Sequence, residues 1–107
     1  MTSREEAIKQ LIKEQLRKAA FGLKGYKVFL FGSRATGTAK SRSDFDVGVY
    51  GKRPIPLKTF YTIEDLLESI ETLYSIELVD LNRVSPSFRK EAMKTAEIIY
   101  EQQNHFR

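Results

Sequence analysis

Hydrophobic and polar positions alternate along the chain with two distinct periods. Ala7, Ile8, Leu11, Ile12, Leu16, Ala19 and Ala20 recur at helical spacing, while Arg4, Glu5, Lys9, Lys13, Glu14 and Arg17 fall mostly off that stripe. This pattern predicts an amphipathic helix over residues 3–20. Ser3 and Glu6 have the spacing of a capping box at its start, and Gly22 and Gly25 stop it. A second helix is predicted over 58–74, with Phe60, Ile63, Leu66, Leu67, Ile70 and Leu73 as its core face and Glu64, Asp65, Glu68 and Glu71 as its wet side. A third is predicted over 86–95, with Ser85 as N-cap and Pro86 as first helical residue.

Between these lie short stretches of strand character. Residues 26–31, YKVFLF, are aromatic and β-branched and predict a largely buried strand. Residues 44–50 alternate, with Asp44, Asp46 and Gly48 on one face and Phe45, Val47 and Val49 on the core face. Residues 76–81, IELVDL, predict a third strand, and 82–85 a turn. Residues 34–39 have the length of a helical turn or two, interrupted by Gly37, and 40–43 read as a loop. Pro54 and Pro56 keep the connector 51–56 extended. Residues 97–100, EIIY, either prolong the third helix or form a short edge strand, and 102–107 read as a frayed tail. The order predicts an α/β (α+β) fold, a small sheet flanked by helices, as one domain over residues 1–107. With two or three strands the sheet edges would be open, which favours a partner chain, homo- or hetero-oligomeric.

Composition narrows the chemistry. A chain of 107 residues with 41% hydrophobic and 30% charged side chains can bury one modest core. The absence of cysteine excludes disulfides, thiolate zinc sites and cysteine nucleophiles, and the sole histidine, His105, lies in the tail. No apolar run approaches the ~18 residues of a membrane span. The polar opening MTSREEAIKQ is unlike a secretory signal, which favours the cytoplasm. The net charge of +4 would help attract a triphosphate, an acidic protein surface or RNA, without selecting among them. No aromatic–basic platform is evident, so direct nucleic-acid binding is not expected.

Three features carry candidate chemistry. Gly32-Ser33 directly follows a strand, where a glycine lets the backbone turn sharply and approach a ligand. Free N–H groups beyond it would face an anion; the bland alternative is an ordinary turn. Asp44-x-Asp46 puts two carboxylates on one strand face, where like charges repel unless a cation lies between them. Mg²⁺ suits such oxygen ligands together with substrate phosphates, and an exposed acidic strand end is the alternative. Asp80, in Val79-Asp80-Leu81, needs a partner or a task in so apolar a strand. It can join the other two acids if its strand lies beside theirs, or else cap the next turn through Asn82. Arg34, Lys40 and Arg42 lie between the glycine turn and the acids, where one could hold a triphosphate or simply be solvated. Gly32 and Gly37 have phosphate-loop spacing, but Thr38 stands where the lysine belongs, and no G-x-G-x-x-G is present.

Taken together, Gly32-Ser33, ten intervening residues, Asp44-x-Asp46 and a later Asp80 resemble the nucleotidyltransferase fold of the DNA polymerase β superfamily. The segment GSRATGTAKSRSDFDVGV is most similar to the minimal nucleotidyltransferases of prokaryotes. The resemblance implies a mixed sheet flanked by helices, with two Mg²⁺ ions on Asp44, Asp46 and Asp80. It implies that Asp80 acts as base and that Gly32 and Ser33 contact the phosphates, with Arg34 and Arg42 as further nucleotide-binding candidates. The implied reaction is attack of a hydroxyl on the α-phosphate of ATP, with pyrophosphate leaving. So short a chain leaves no room for an acceptor domain, so the acceptor would come from another chain. Family members are typically encoded beside a HEPN-domain toxin and act as antitoxins by adding AMP to a tyrosine of it. Two alternatives stay open: an antitoxin that neutralises by binding alone, and a transferase acting on a small molecule such as an aminoglycoside.

Overall fold

The structure, a computed structural model, describes residues 3–32 and 45–102. Helix α1 (Ser3–Lys18) runs into a single 3₁₀ turn at Ala20–Leu23. Strand β1 (Tyr26–Phe31) follows, then β2 (Phe45–Gly51), helix α2 (Leu57–Glu68), β3 (Ile76–Asp80), helix α3 (Pro86–Met93) and β4 (Glu97–Glu101). The four strands form one sheet in the order β3-β2-β1-β4. β1 is antiparallel to both β2 and β4, and β2 is parallel to β3. The mixed sheet that the resemblance implies is therefore present.

Alternation sorts the two faces. Val28, Leu30, Phe45, Val47, Val49 and Ile99 face a layer made by Ile8, Ile12 and Leu16 of α1 and by Ile63 and Leu67 of α2. Most of these side chains are fully buried, each stabilising the fold by about 1.5–3 kcal/mol before entropy is counted. The opposite face carries Phe29 and Phe31, which pack with Leu81 and with Ala92 of α3. That second layer is smaller, and the candidate site lies at its Phe31 end.

Residues 97–101 form a strand, not a helical extension. Their β-rich side chains pair with β1, with Phe29 opposite Ile98 and Leu30 opposite Glu97. Buried Lys9 of α1 bonds Glu97 at 2.8 Å and pairs with Glu6 at 3.2 Å, tying β4 to the helix layer. Among the described residues the edge strands of the sheet are β3 and β4.

Helix α2 ends at Glu68, short of the expected 74. The Ser69 hydroxyl donates to the Leu66 carbonyl at 2.6 Å, and the Ser69 N–H already serves the Asp65 and Leu66 carbonyls. Such local bonding competes with helix propagation. Thr72 then accepts the Tyr74 N–H at 3.1 Å, turning Tyr74 inward to meet Phe45 edge-on with centroids 5.3 Å apart. Leu73, expected on the core face, is 80% exposed as a result. The Ser85 cap is as the sequence indicates, its hydroxyl accepting the Phe88 N–H at 3.2 Å ahead of a helix that begins at Pro86. Among the described residues no helix is long and apolar enough to cross a membrane.

Candidate active site

Gly32 closes β1 with φ +80°, a left-handed conformation that side chains with a Cβ adopt at a cost. It is also in close contact with an acid. A Cβ built on Gly32 would lie 2.5 Å from Oδ2 of Asp46. The reason is the register of the hairpin, in which Phe31 lies opposite Asp46 and sets the turn on that carboxylate. The glycine turn and the half-buried acid therefore form one unit, 14 positions apart in sequence and touching in space. Ser33, Arg34, Lys40, Arg42 and Asp44 fall in residues 33–44, outside the described residues.

β2 and β3 run parallel, with Asp46 opposite Glu77 and Val49 opposite Asp80. Paired residues on neighbouring strands, ~4.8 Å apart, point to the same face. Glu77 thus shares the face of Asp46. Its exposed carboxylate lies on the same side as the Gly32 turn. Two acids so placed repel each other in the absence of a cation, and their hard oxygen donors are of the type that Mg²⁺ takes. Among the described residues no group of three metal-ligating side chains gathers, and Asp44 lies beyond them.

Asp80 is not brought to this cluster. It lies three positions further along β3, ~10 Å, and shares the face of Val49, which belongs to the helix-covered core. Its carboxylate is enclosed by donors. Oδ2 accepts the Ile55 N–H at 3.1 Å and Nε of Arg83 at 3.1 Å, and Oδ1 accepts the Asn82 N–H at 2.9 Å. The Asp80 carbonyl accepts the Arg83 N–H at 2.9 Å. This buried acid ties the connector before α2 to the turn after β3. The turn-capping alternative describes its surroundings; the register sets Asp80 apart from Asp46, while Asp44 lies outside the described residues.

Glu77, which the sequence alone did not single out, is the acid that the register sets opposite Asp46. Its signal was present, an acid between two β-type apolar residues in Ile76-Glu77-Leu78. What was missing was the pairing, because alternation alone cannot say which of two acids three apart meets Asp46.

Helix α3 borders the same face. Phe88, in its first turn, meets Phe31 edge-on with centroids 6.2 Å apart. Arg89 donates to the Leu81 carbonyl at 3.2 Å and lies 5.5 Å from the Tyr50 ring centroid. The helix is thereby pinned across the sheet from the Asp46 end to the Tyr50 end.

A glycine turn abutting a strand carboxylate, on a mixed sheet with a second acid in register, sets an anion-facing turn beside oxygen donors suited to a divalent cation. The chain belongs to the Polymerase beta, Nucleotidyltransferase family, whose sequence profile matches residues 6–105. It is similar to a Haemophilus influenzae protein named probable protein adenylyltransferase MntA, 28% identical over 101 residues that cover 94% of this chain and 83% of the relative. The fold is shared with a chain from a crystal structure of a toxin–antitoxin with AMP-PNP, at TM-score 0.63 and 19% identity over 85% of this chain and 74% of that one. It is shared as well with a chain from the structure of a tri-AMPylated Shewanella oneidensis HEPN toxin in complex with MNT antitoxin. There the TM-score is 0.59 and the identity 16%, over 88% of this chain and 73% of that one.

Proposed function

We propose that this chain is a Mg²⁺-dependent protein adenylyltransferase that moves AMP from ATP to a hydroxyl, a tyrosine of a HEPN-domain toxin, and so serves as the antitoxin of a cytoplasmic toxin–antitoxin pair. The observation that carries the reading is the contact of the Gly32 turn with Asp46, with Glu77 in register on the next strand. The name of the Haemophilus relative and the complexes in which the structural neighbours occur supply the acceptor and the adenine nucleotide.

Each residue then has a task. Gly32 and Ser33 place backbone N–H groups and a hydroxyl against the β- and γ-phosphates, and Arg34 and Arg42 add charge-assisted donors. Asp44, Asp46 and Glu77 would hold two Mg²⁺ ions, which when bound neutralise charge on the triphosphate and on the entering and leaving oxygens. Glu77 takes the place first given to Asp80. It sits on β3, an edge strand among the described residues, and accepts the proton of the acceptor hydroxyl. The acceptor oxygen bonds to the α-phosphorus as the bond to the pyrophosphate oxygen breaks. Asp80 keeps the frame beneath this site in place.

The test is Mg²⁺-dependent release of pyrophosphate from ATP by the purified chain together with its partner. Release by wild type and none by Asp46→Asn, with the complex still formed, is expected. Neutralisation of the partner by Asp46→Asn without release would replace transfer with neutralisation by binding alone.

A further inference from the structure

The geometry points to Phe88 as the platform on which the nucleobase stacks, an inference that rests on the nucleotide-site reading above. Phe88 is 46% exposed. An apolar ring left half in water needs no explanation when it stands alone, but this one borders the site. It meets Phe31 at 6.2 Å with an interplanar angle of 85°. Phe31 is itself buried, lies opposite Asp46 in the sheet and directly precedes Gly32. That 6.2 Å and one cross-strand spacing of ~5 Å set an upper bound of about 11 Å on the path from the Phe88 ring through Phe31 to the Asp46 strand. A nucleotide whose phosphates meet Gly32 would extend its base in this range.

The ring is also held in place. The Phe88 N–H is capped by Ser85 and the helix starts at Pro86, so the first turn of α3 is fixed before any ligand arrives. The neighbouring Arg89 is engaged with the Leu81 carbonyl and Tyr50, so it does not compete for the base. A phenyl ring has no hydrogen-bonding group and reads stacking area alone. The platform therefore favours purines over pyrimidines and leaves the choice between adenine and guanine to other groups.

The chain contains no tryptophan, so Phe88→Trp would carry a single fluorescent reporter. Affinities for a non-hydrolysable ATP analogue and for inorganic tripolyphosphate would be measured with Mg²⁺ on wild type, Phe88→Ala and Phe88→Trp, with thermal melting as the check on folding. Phe88→Ala should weaken the analogue roughly tenfold to a hundredfold and leave tripolyphosphate unchanged. Phe88→Trp should restore analogue binding, and its emission should change with the analogue but not with tripolyphosphate. If wild type binds the analogue and folded Phe88→Ala binds it equally well, or if the tryptophan is blind to it, the platform is refuted while the nucleotide site stands. If wild type binds neither ligand, the nucleotide-site reading falls and the platform with it.

Discussion

Replacing Asp80 by asparagine separates a frame residue from a reacting one. The carboxylate receives the Ile55 and Asn82 backbone N–H groups and Nε of Arg83. An amide offers one acceptor oxygen and turns two donors toward groups that are themselves donors. The Ile55 N–H is buried, and leaving such a donor without a partner costs about 1–3 kcal/mol. The Arg83 ion pair adds little, since the arginine side chain is 50% exposed and well screened. A loss of about 2–4 kcal/mol follows, which lowers Tm by roughly 10–20 °C in a domain of this size. Glu77 is exposed and lies on the site face, so Glu77→Gln should change stability by no more than about 0.5 kcal/mol. Its effect belongs in the rate, a fall of roughly 10²–10⁴ in nucleotidyl transfer if it accepts the proton. Melting curves and single-turnover transfer on both variants decide the matter. An Asp80→Asn protein that melts like wild type but is inactive, beside a fully active Glu77→Gln, would refute the assignment and return Asp80 to the triad.

Other expected outcomes concern the turn and the helix layer. Gly32→Ala should lower stability by about 1–2 kcal/mol from its positive φ. Its methyl group would also displace the Asp46 carboxylate, so Mg²⁺-dependent nucleotide binding should weaken by more than about tenfold; calorimetry showing unchanged affinity would contradict this. Lys9 has its pKa raised above 10.5. Burial opposes the charge, but the hydrogen bonds and charges of Glu97 and Glu6 outweigh it. A raised folded pKa contributes stability that is complete below the unfolded value and lost as pH rises through the folded one. Urea stability should therefore fall more steeply for wild type than for Lys9→Met as pH rises above 10.5, and equal slopes would count against the buried pairing.

The residues that announced themselves in the sequence did so through local physics. Alternation placed Phe45, Val47 and Val49 in the core, and all three are fully buried. The Ser85–Pro86 start of α3 and Ile8, Ile12, Leu16 and Ala19 of the α1 stripe rest on side chains within a turn or two of each other, so they were legible one segment at a time, whereas Ala7 and Leu11 are exposed and Lys9 is buried by its pairing with Glu97. Gly32 and Asp46 were singled out separately, but their contact depends on the hairpin register. Non-local pairing was also what hid the remainder. EIIY is strand because β1 has an edge to give it, and β2 and β3 align Asp46 with Glu77 and set Asp80 opposite Val49. The early end of α2 follows from a serine hydroxyl taking a carbonyl, a competition that the helical period does not reveal.

The most direct measurement is the intact mass of the co-purified partner chain after incubation with each nucleoside triphosphate and Mg²⁺, with wild type and Asp46→Asn side by side. A gain of one or more AMP units, with ATP and in wild type only, is the expected result. An unchanged partner mass with every nucleotide, while the complex still forms, would contradict nucleotidyl transfer and leave a chain that neutralises by binding.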